Sequence, residues 1–224
     1  MVALQDQINY LEQFVNSARR KRLQDVLNQR TGHMRVVLEN LYQAHNASAV
    51  LRSCDCFGIQ HVHFIENRNS LRISDEVALG SSNWLSLHRH NEAEHNSRVC
   101  LKALKDQGFR VVVTSPHHNG TALHDFSVEQ PFALVFGTEL EGASEEALQA
   151  ADELLRIPMY GFTESFNISV SAAICMYELS NRIRRQVNDY QLGQDEKNEL
   201  YLNWLCQSTA KGELILQDFL RRHE

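Results

Sequence analysis

The chain has 224 residues, 43% hydrophobic and 22% charged, with a formal net charge of −6. That length and composition suit one good globular core. No run nears the ~18 consecutive apolar residues that span a bilayer, the N-terminal MVALQDQINYLEQ lacks a secretory pattern, and the acidic total argues against indiscriminate nucleic-acid binding, so a cytosolic (cytoplasmic) protein is expected.

Residues 3–29 predict one or two helices, with Leu23, Val26 and Leu27 at helical spacing and Arg19-Arg20-Lys21-Arg22 early in the second. From Ser17 to Arg35 six basic residues meet one acidic residue, a local +5, whereas residues 129–153 hold seven carboxylates and no Lys or Arg. The basic run suits a solvated helix face or a polyanion contact, and its charge alone leaves both open. Met34 to Leu38 reads as a strand, Asn46 to Phe57 as a helix ended by Gly58, and Gln60 to Ile65 as a second strand. Residues 67–83 are polar, with a Gly80-Ser81-Ser82-Asn83 loop before a short strand from Trp84 to Leu87. A helix from Asn91 to Gln107 stops at Gly108. Phe109 to Thr114 and Phe132 to Phe136 are apolar strands. Ser144 caps a short helix carrying Glu145 and Glu146 in its positive first turn. Leu155 to Ile157 ends a strand, stopped by Pro158. A turn from Met159 to Phe166 leads to Asn167, the expected N-cap of a long helix reaching toward Val187. A C-terminal helix starts near Asp195.

Apolar strands alternating with helices predict an α/β fold with a mostly parallel sheet covered by helices on both faces. Residues 33–190 form that domain, residues 1–32 a basic helical N-terminal extension, and residues 191–224 a C-terminal helical extension.

The five cysteines, at 54, 56, 100, 175 and 206, are odd in number and lack paired spacing, so free thiols are expected. Cys54 and Cys56 followed by His61 and His63 make a poor zinc set, because positions i and i+2 of a helix face apart. Structural zinc also prefers at least two residues between its cysteines. No metal is expected.

Three stretches carry possible chemistry. In HNASAVLRSCDCFG, Asn46 starts a helix and Arg52 lies six residues on, amid small and apolar neighbours; a structural ion pair or a phosphate contact would each account for it. FGTELEG, Phe136 to Gly142, follows a strand with P-loop glycine separation, but Ala143 stands where the loop's Lys belongs, and Glu139 and Glu141 repel phosphate. A cationic ligand suits it better, and no GxGxxG is present. In the third stretch, from Leu155 to Leu179, strand end, polar turn and small-residue helix start meet, the kind of crevice where open α/β sheets bind ligands.

In this order the stretches resemble the motifs of the SpoU/TrmH family of RNA ribose 2′-O-methyltransferases: N-x(5)-R as Asn46 to Arg52, FGxExxG as Phe136 to Gly142, and IPM…S-x-N-x-S as Ile157 to Ser169. The resemblance implies a C-terminal trefoil knot of the SPOUT class, bound S-adenosyl-L-methionine and a homodimer. It implies methylation of a ribose 2′-hydroxyl in RNA, with guanosine 18 of tRNA as the favoured target. A ribosomal RNA nucleotide is the alternative, and a catalytically silent RNA-binding module a more distant one. Thr114, Gly137, Ile157 and Phe166 match cofactor-contacting positions. Asn46, Arg52, Glu139, Ser165 and Asn167 match catalytic motif positions, and Arg19 and Arg22 align with a basic helix implicated in tRNA binding. Ala44 stands where the family usually has proline, and Thr163-Glu164-Ser165-Phe166 replaces the usual Val-Gln-Ser-Leu.

Overall fold

The computed structural model describes residues 2–68, 80–116, 119–138 and 141–223. In chain order they form α1 (Leu4–Glu12), α2 (Ser17–Leu27), β1 (Met34–Glu39), α3 (Ala44–Phe57), β2 (His61–Ile65), a 3₁₀ turn (Ser81–Trp84) and β3 (Ser86–His90). There follow α4 (Asn96–Asp106), β4 (Arg110–Thr114), β5 (Thr121–Ala122), β6 (Phe132–Phe136), α5 (Glu145–Ala150), β7 (Glu153–Arg156), α6 (Ile168–Gln186), α7 (Gln194–Ser208) and α8 (Gly212–Arg221). The expected polar stretch at 67–83 lies largely outside the described residues.

The sheet runs β3-β2-β1-β6-β4-β7-β5, and every ladder among the described residues is parallel. The expected α/β architecture is therefore present. Its strands are covered on both faces, so alternate residues feed two cores rather than one core and water. Val36, Leu38, Leu134 and Phe136 join α3 and α6 in one cluster. Val37, Val111, Val113 and Val135 join Cys100, Leu101 and Leu104 of α4 in the other. Fully burying a side chain of this size contributes about 1.5–3 kcal/mol.

β7 lies between β4 and β5. Ser115, just after β4, donates its N–H to Leu155 O at 2.9 Å, and Leu123, just after β5, donates its N–H to Arg156 O at 2.9 Å. Arg156 Nε donates to Gly120 O at 3.0 Å. A Cβ on Gly120 would sit 2.4 Å from Leu154 O, so only glycine lets the two backbones pass this closely.

Several boundaries differ from expectation. α3 begins at Ala44, two residues before the expected start at Asn46, and its N-cap is Gln43. Trp84 ends a 3₁₀ turn, and the following strand extends to His90. α4 starts at Asn96 because that side chain closes the preceding turn, accepting from Ala93 N–H and donating to Ala93 O, each at 2.9 Å. The C-terminal segment makes two helices, separated at Lys211, where φ is 60°.

The chain divides into two compact units, residues 31–190 and a helical unit made of residues 1–30 with 191–224. The helical unit buries Leu11, Leu23, Leu27, Trp204 and Leu205. Its buried Arg30 guanidinium lies 5.4 Å from the Trp204 ring centre. Tyr201 Oη donates to Glu12 at 2.8 Å.

Candidate active site

In a parallel sheet the strands end together, and the loops leaving those ends enclose a crevice. Here the ends of β4, β6 and β7 do so. The cavity is lined by Thr114 at the end of β4 and Ser115 after it, by Phe136 at the end of β6 with Gly137, Thr138 and Glu141 to Ala143 after it, and by Leu155 and Ile157 at the end of β7. Met159, Ser165 and Phe166 of the following turn close it, with Ile168 and Ser171 from the start of α6. Thr114, Gly137, Ile157 and Phe166, widely separated in sequence, thus share one cavity. Among the described residues the lining contains a carboxylate, Glu141, and no Lys or Arg.

The loop after β6 folds back on itself. Thr138 N–H donates to Gly142 O at 2.8 Å and Gly142 N–H to Thr138 O at 3.1 Å. Gly142 takes a positive φ of 71°. A Cβ on Gly137 would lie 2.2 Å from backbone atoms of Gly142 and Ala143. The loop's own close approach therefore requires a glycine at 137. Glu139 lies outside the described residues. The Glu141 carboxylate accepts from Arg68 at 2.8 Å; both side chains are 71% exposed, so the pair adds at most about 1 kcal/mol.

Glu39, at the end of β1, holds this loop from below, and sequence reasoning missed it. It is 1% exposed and accepts from Ser97 Oγ at 2.5 Å, Ser144 N–H at 2.9 Å and Ser144 Oγ at 2.6 Å. A buried carboxylate needs such donors. The signal available was a lone carboxylate ending the apolar run MRVVLE. Ser144 also performs its expected cap, accepting from Ala147 N–H at 3.1 Å.

Asn167 caps α6 as expected: its Oδ1 accepts from Ser169 N–H at 2.9 Å and Ser169 Oγ at 2.6 Å. That arrangement leaves its Nδ2 to donate to Asn46 Oδ1 at 3.3 Å. The first and third motifs therefore meet. Asn46 is 2% exposed and also donates to Gln43 Oε1 at 3.1 Å. Arg52 faces away. It is exposed on α3 and does not line the cavity.

Arg19 and Arg22 are exposed on α2. The rest of the basic stretch is less available. Lys21 pairs with Asp25 at 2.7 Å and Arg20 with Glu12 at 3.5 Å. Arg30 is buried, and half-buried Arg35 stacks on Phe109 at 4.2 Å.

All five cysteines are free. Cys54 is buried against Met176 at 3.6 Å, while Cys56 is exposed, so the two face apart as the helical spacing required. Burial pushes the Cys175 thiol up to about 12.

Comparison with known proteins agrees with the motif reading. Residues 33–177 match the model of the SpoU rRNA Methylase family. A tRNA (guanosine(18)-2′-O)-methyltransferase of Borreliella burgdorferi is 39% identical, over 93% of this chain and 94% of that one. The enzyme of the same name from Thermus thermophilus is 36% identical, over 72% of this chain and 81% of its own. The crystal structure of the A. aeolicus TrmH/SpoU tRNA modifying enzyme superposes with a TM-score of 0.77 at 27% identity, covering 87% of this chain and 98% of that one.

Proposed function

The chain belongs to the SpoU rRNA Methylase family, and from that membership we propose that it is an S-adenosyl-L-methionine-dependent RNA ribose 2′-O-methyltransferase whose target is guanosine 18 of tRNA. The observation that carries the reading is the single cavity lined by Thr114, Gly137, Ile157 and Phe166. Its chemistry fits the cofactor. The loop closes tightly over Gly137, Glu141 lines the wall, and among the described residues the lining holds no Lys or Arg to oppose a cationic sulfonium.

When bound, the cofactor supplies a methyl group already activated on that sulfonium. What remains for the protein is to place a ribose 2′-oxygen in line and to ease loss of its proton. Ser165, on the cavity wall, and Asn167, at the start of α6, suit the ribose side. Asn46 is a positioning residue, acting through its contact with Asn167. Glu139 is assigned a catalytic role on its motif position alone. A guanidinium offers donors and no acceptor, so Arg52 acts by holding the neighbouring phosphate and stabilising the developing alkoxide. Its distance in role from its own chain's cavity supports a site completed by a second subunit.

Two further parts of the reading have support of their own. Tyr160, Phe162, Phe166, Val170 and Tyr177 are exposed apolar side chains on the turn after β7 and on α6. An apolar band of this kind suits burial in a homodimer. The backbone contacts of Ser115 and Leu123 with β7 suit a trefoil knot in which the chain leaving β7 for α6 is threaded. Arg19 and Arg22, exposed on α2, serve as phosphate contacts for tRNA.

The reading is tested by incubating the protein with methyl-labelled S-adenosyl-L-methionine and unmodified tRNA or ribosomal RNA. Label should enter tRNA. Label in ribosomal RNA alone would favour the alternative substrate, and none in either would favour a silent RNA-binding module.

A further inference from the structure

We propose that His63, His90 and Cys100 form a binding site for a divalent cation of the zinc class, separate from the methyltransferase cavity and joining the sheet edge to α4. β2 and β3 pair in parallel with His63 opposite His88 and Ile65 opposite His90. That register puts His61, His63, His88 and His90 on one face of the sheet. The rings stack as a ladder, with centroids of His63 and His88 4.4 Å apart and of His63 and His90 5.4 Å apart, each pair inclined by 18°. Nδ1 of His63 lies 3.1 Å from Nε2 of His90. α4 packs against these strands and brings in Cys100, which is fully buried.

One potential ligand atom from each of the three residues lies within 4.8 Å of the others. A tetrahedral zinc centre, with nitrogen at about 2.0–2.1 Å and sulfur at about 2.3 Å, sets its ligands roughly 3.5 Å apart. The second observation concerns His63 itself. It is 5% exposed, and its Nε2 is buried with no hydrogen-bond partner. A packed core seldom leaves an imidazole nitrogen in that state unless something else takes its lone pair.

The donor set selects the ion. Two imidazoles and a thiol suit zinc or a similar borderline-soft metal, and disfavour magnesium or calcium, which take oxygen ligands. Burial, then the neighbouring His88 and Arg35 charges, keep His63 neutral, with its lone pair available. Burial and nearby Glu39 push the Cys100 thiol up to about 12, a balance that a bound divalent cation reverses by displacing the proton. Glu39 favours a cation here, while Arg35 opposes it. Half-exposed His90 leaves a solvent-facing side for a fourth ligand, a water. None of the three residues lines the cavity described above, so the proposal stands apart from the methyltransferase reading.

The test uses the full-length protein after chelator treatment and dialysis, titrated with cobalt(II) alone and followed by absorption. One equivalent per chain should bind, with the intense visible bands of tetrahedral cobalt and a thiolate-to-cobalt charge-transfer band, and zinc should displace it. Cys100→Ser should remove the charge-transfer band. His90→Asn, at the half-exposed edge where folding is least at risk, should weaken binding at least tenfold, with circular dichroism verifying the fold. Cys56→Ser should change neither. Absence of a thiolate band in the unmutated protein would mean a neutral histidine ladder and nothing more. A band lost with Cys56 but kept in Cys100→Ser would equally overturn the site.

Discussion

A single added methyl tests the loop at the cavity floor. In Gly137→Ala the new Cβ meets backbone at 2.2 Å, and backbone has no flexible end to swing aside. We expect a loss of about 1–3 kcal/mol in denaturant unfolding, together with weaker S-adenosyl-L-methionine binding by calorimetry. An unchanged denaturation midpoint would remove the close approach from the account. The amide pair gives a finer test. Asn167→Ala should cost about 1 kcal/mol through the lost cap, and a double-mutant cycle with Asn46→Ala should give a coupling of about 0.5–1.5 kcal/mol. Purely additive losses would mean the 3.3 Å contact is inert. Arg52→Ala should bind cofactor normally and lose methyl transfer by about 100-fold or more; equal turnover would free Arg52 of its role. The sequence made these residues legible through motif spacing. It could not reveal Glu39, because the three donors that make its burial tolerable come from Ser97 and Ser144, distant in sequence.

Helix α2 carries the charge argument, and the structure narrows it to part of the basic run. Lys21 and Arg20 face carboxylates and Arg30 is buried, while Arg19 and Arg22 are exposed and Arg19 Nε donates to Ser208 Oγ at 3.4 Å. Phosphate contacts dominate nucleic-acid affinity and are lost with salt. The double substitution Arg19→Ala/Arg22→Ala should therefore weaken tRNA binding and lower its salt slope by about 2, while leaving cofactor affinity unchanged. Wild-type affinity and slope in a filter-binding series would make the run an ordinary solvated face. Element boundaries were least legible where a polar side chain chose an unexpected partner. Asn46 reads as a helix start because asparagine favours that position, yet the helix begins at Ala44 and the Asn46 amide meets Gln43 and Asn167. Asn96 delayed α4 by closing a turn. Ser144 and Asn167 were read correctly, since each satisfies a helix start locally.

For the whole molecule, apolar runs alternating with helices were enough to give a parallel α/β sheet. Strand order was not, because the placement of β7 between β4 and β5 depends on backbone contacts at Gly120 and Leu155 that no local pattern encodes. Nor did any periodicity predict that residues 1–30 and 191–224 would form one unit. The exposed band from Tyr160 to Tyr177 should be covered in solution, so sedimentation at assay concentration should give a dimer; an active monomer would contradict that. The central claim is transfer of a methyl group to one ribose oxygen. Its most direct test compares two tRNAs that differ only at residue 18, one carrying guanosine and the other 2′-deoxyguanosine, each incubated with methyl-labelled S-adenosyl-L-methionine. The account predicts label on the first, mapped to the 2′-oxygen of residue 18, and none on the second; equal labelling of both would contradict it.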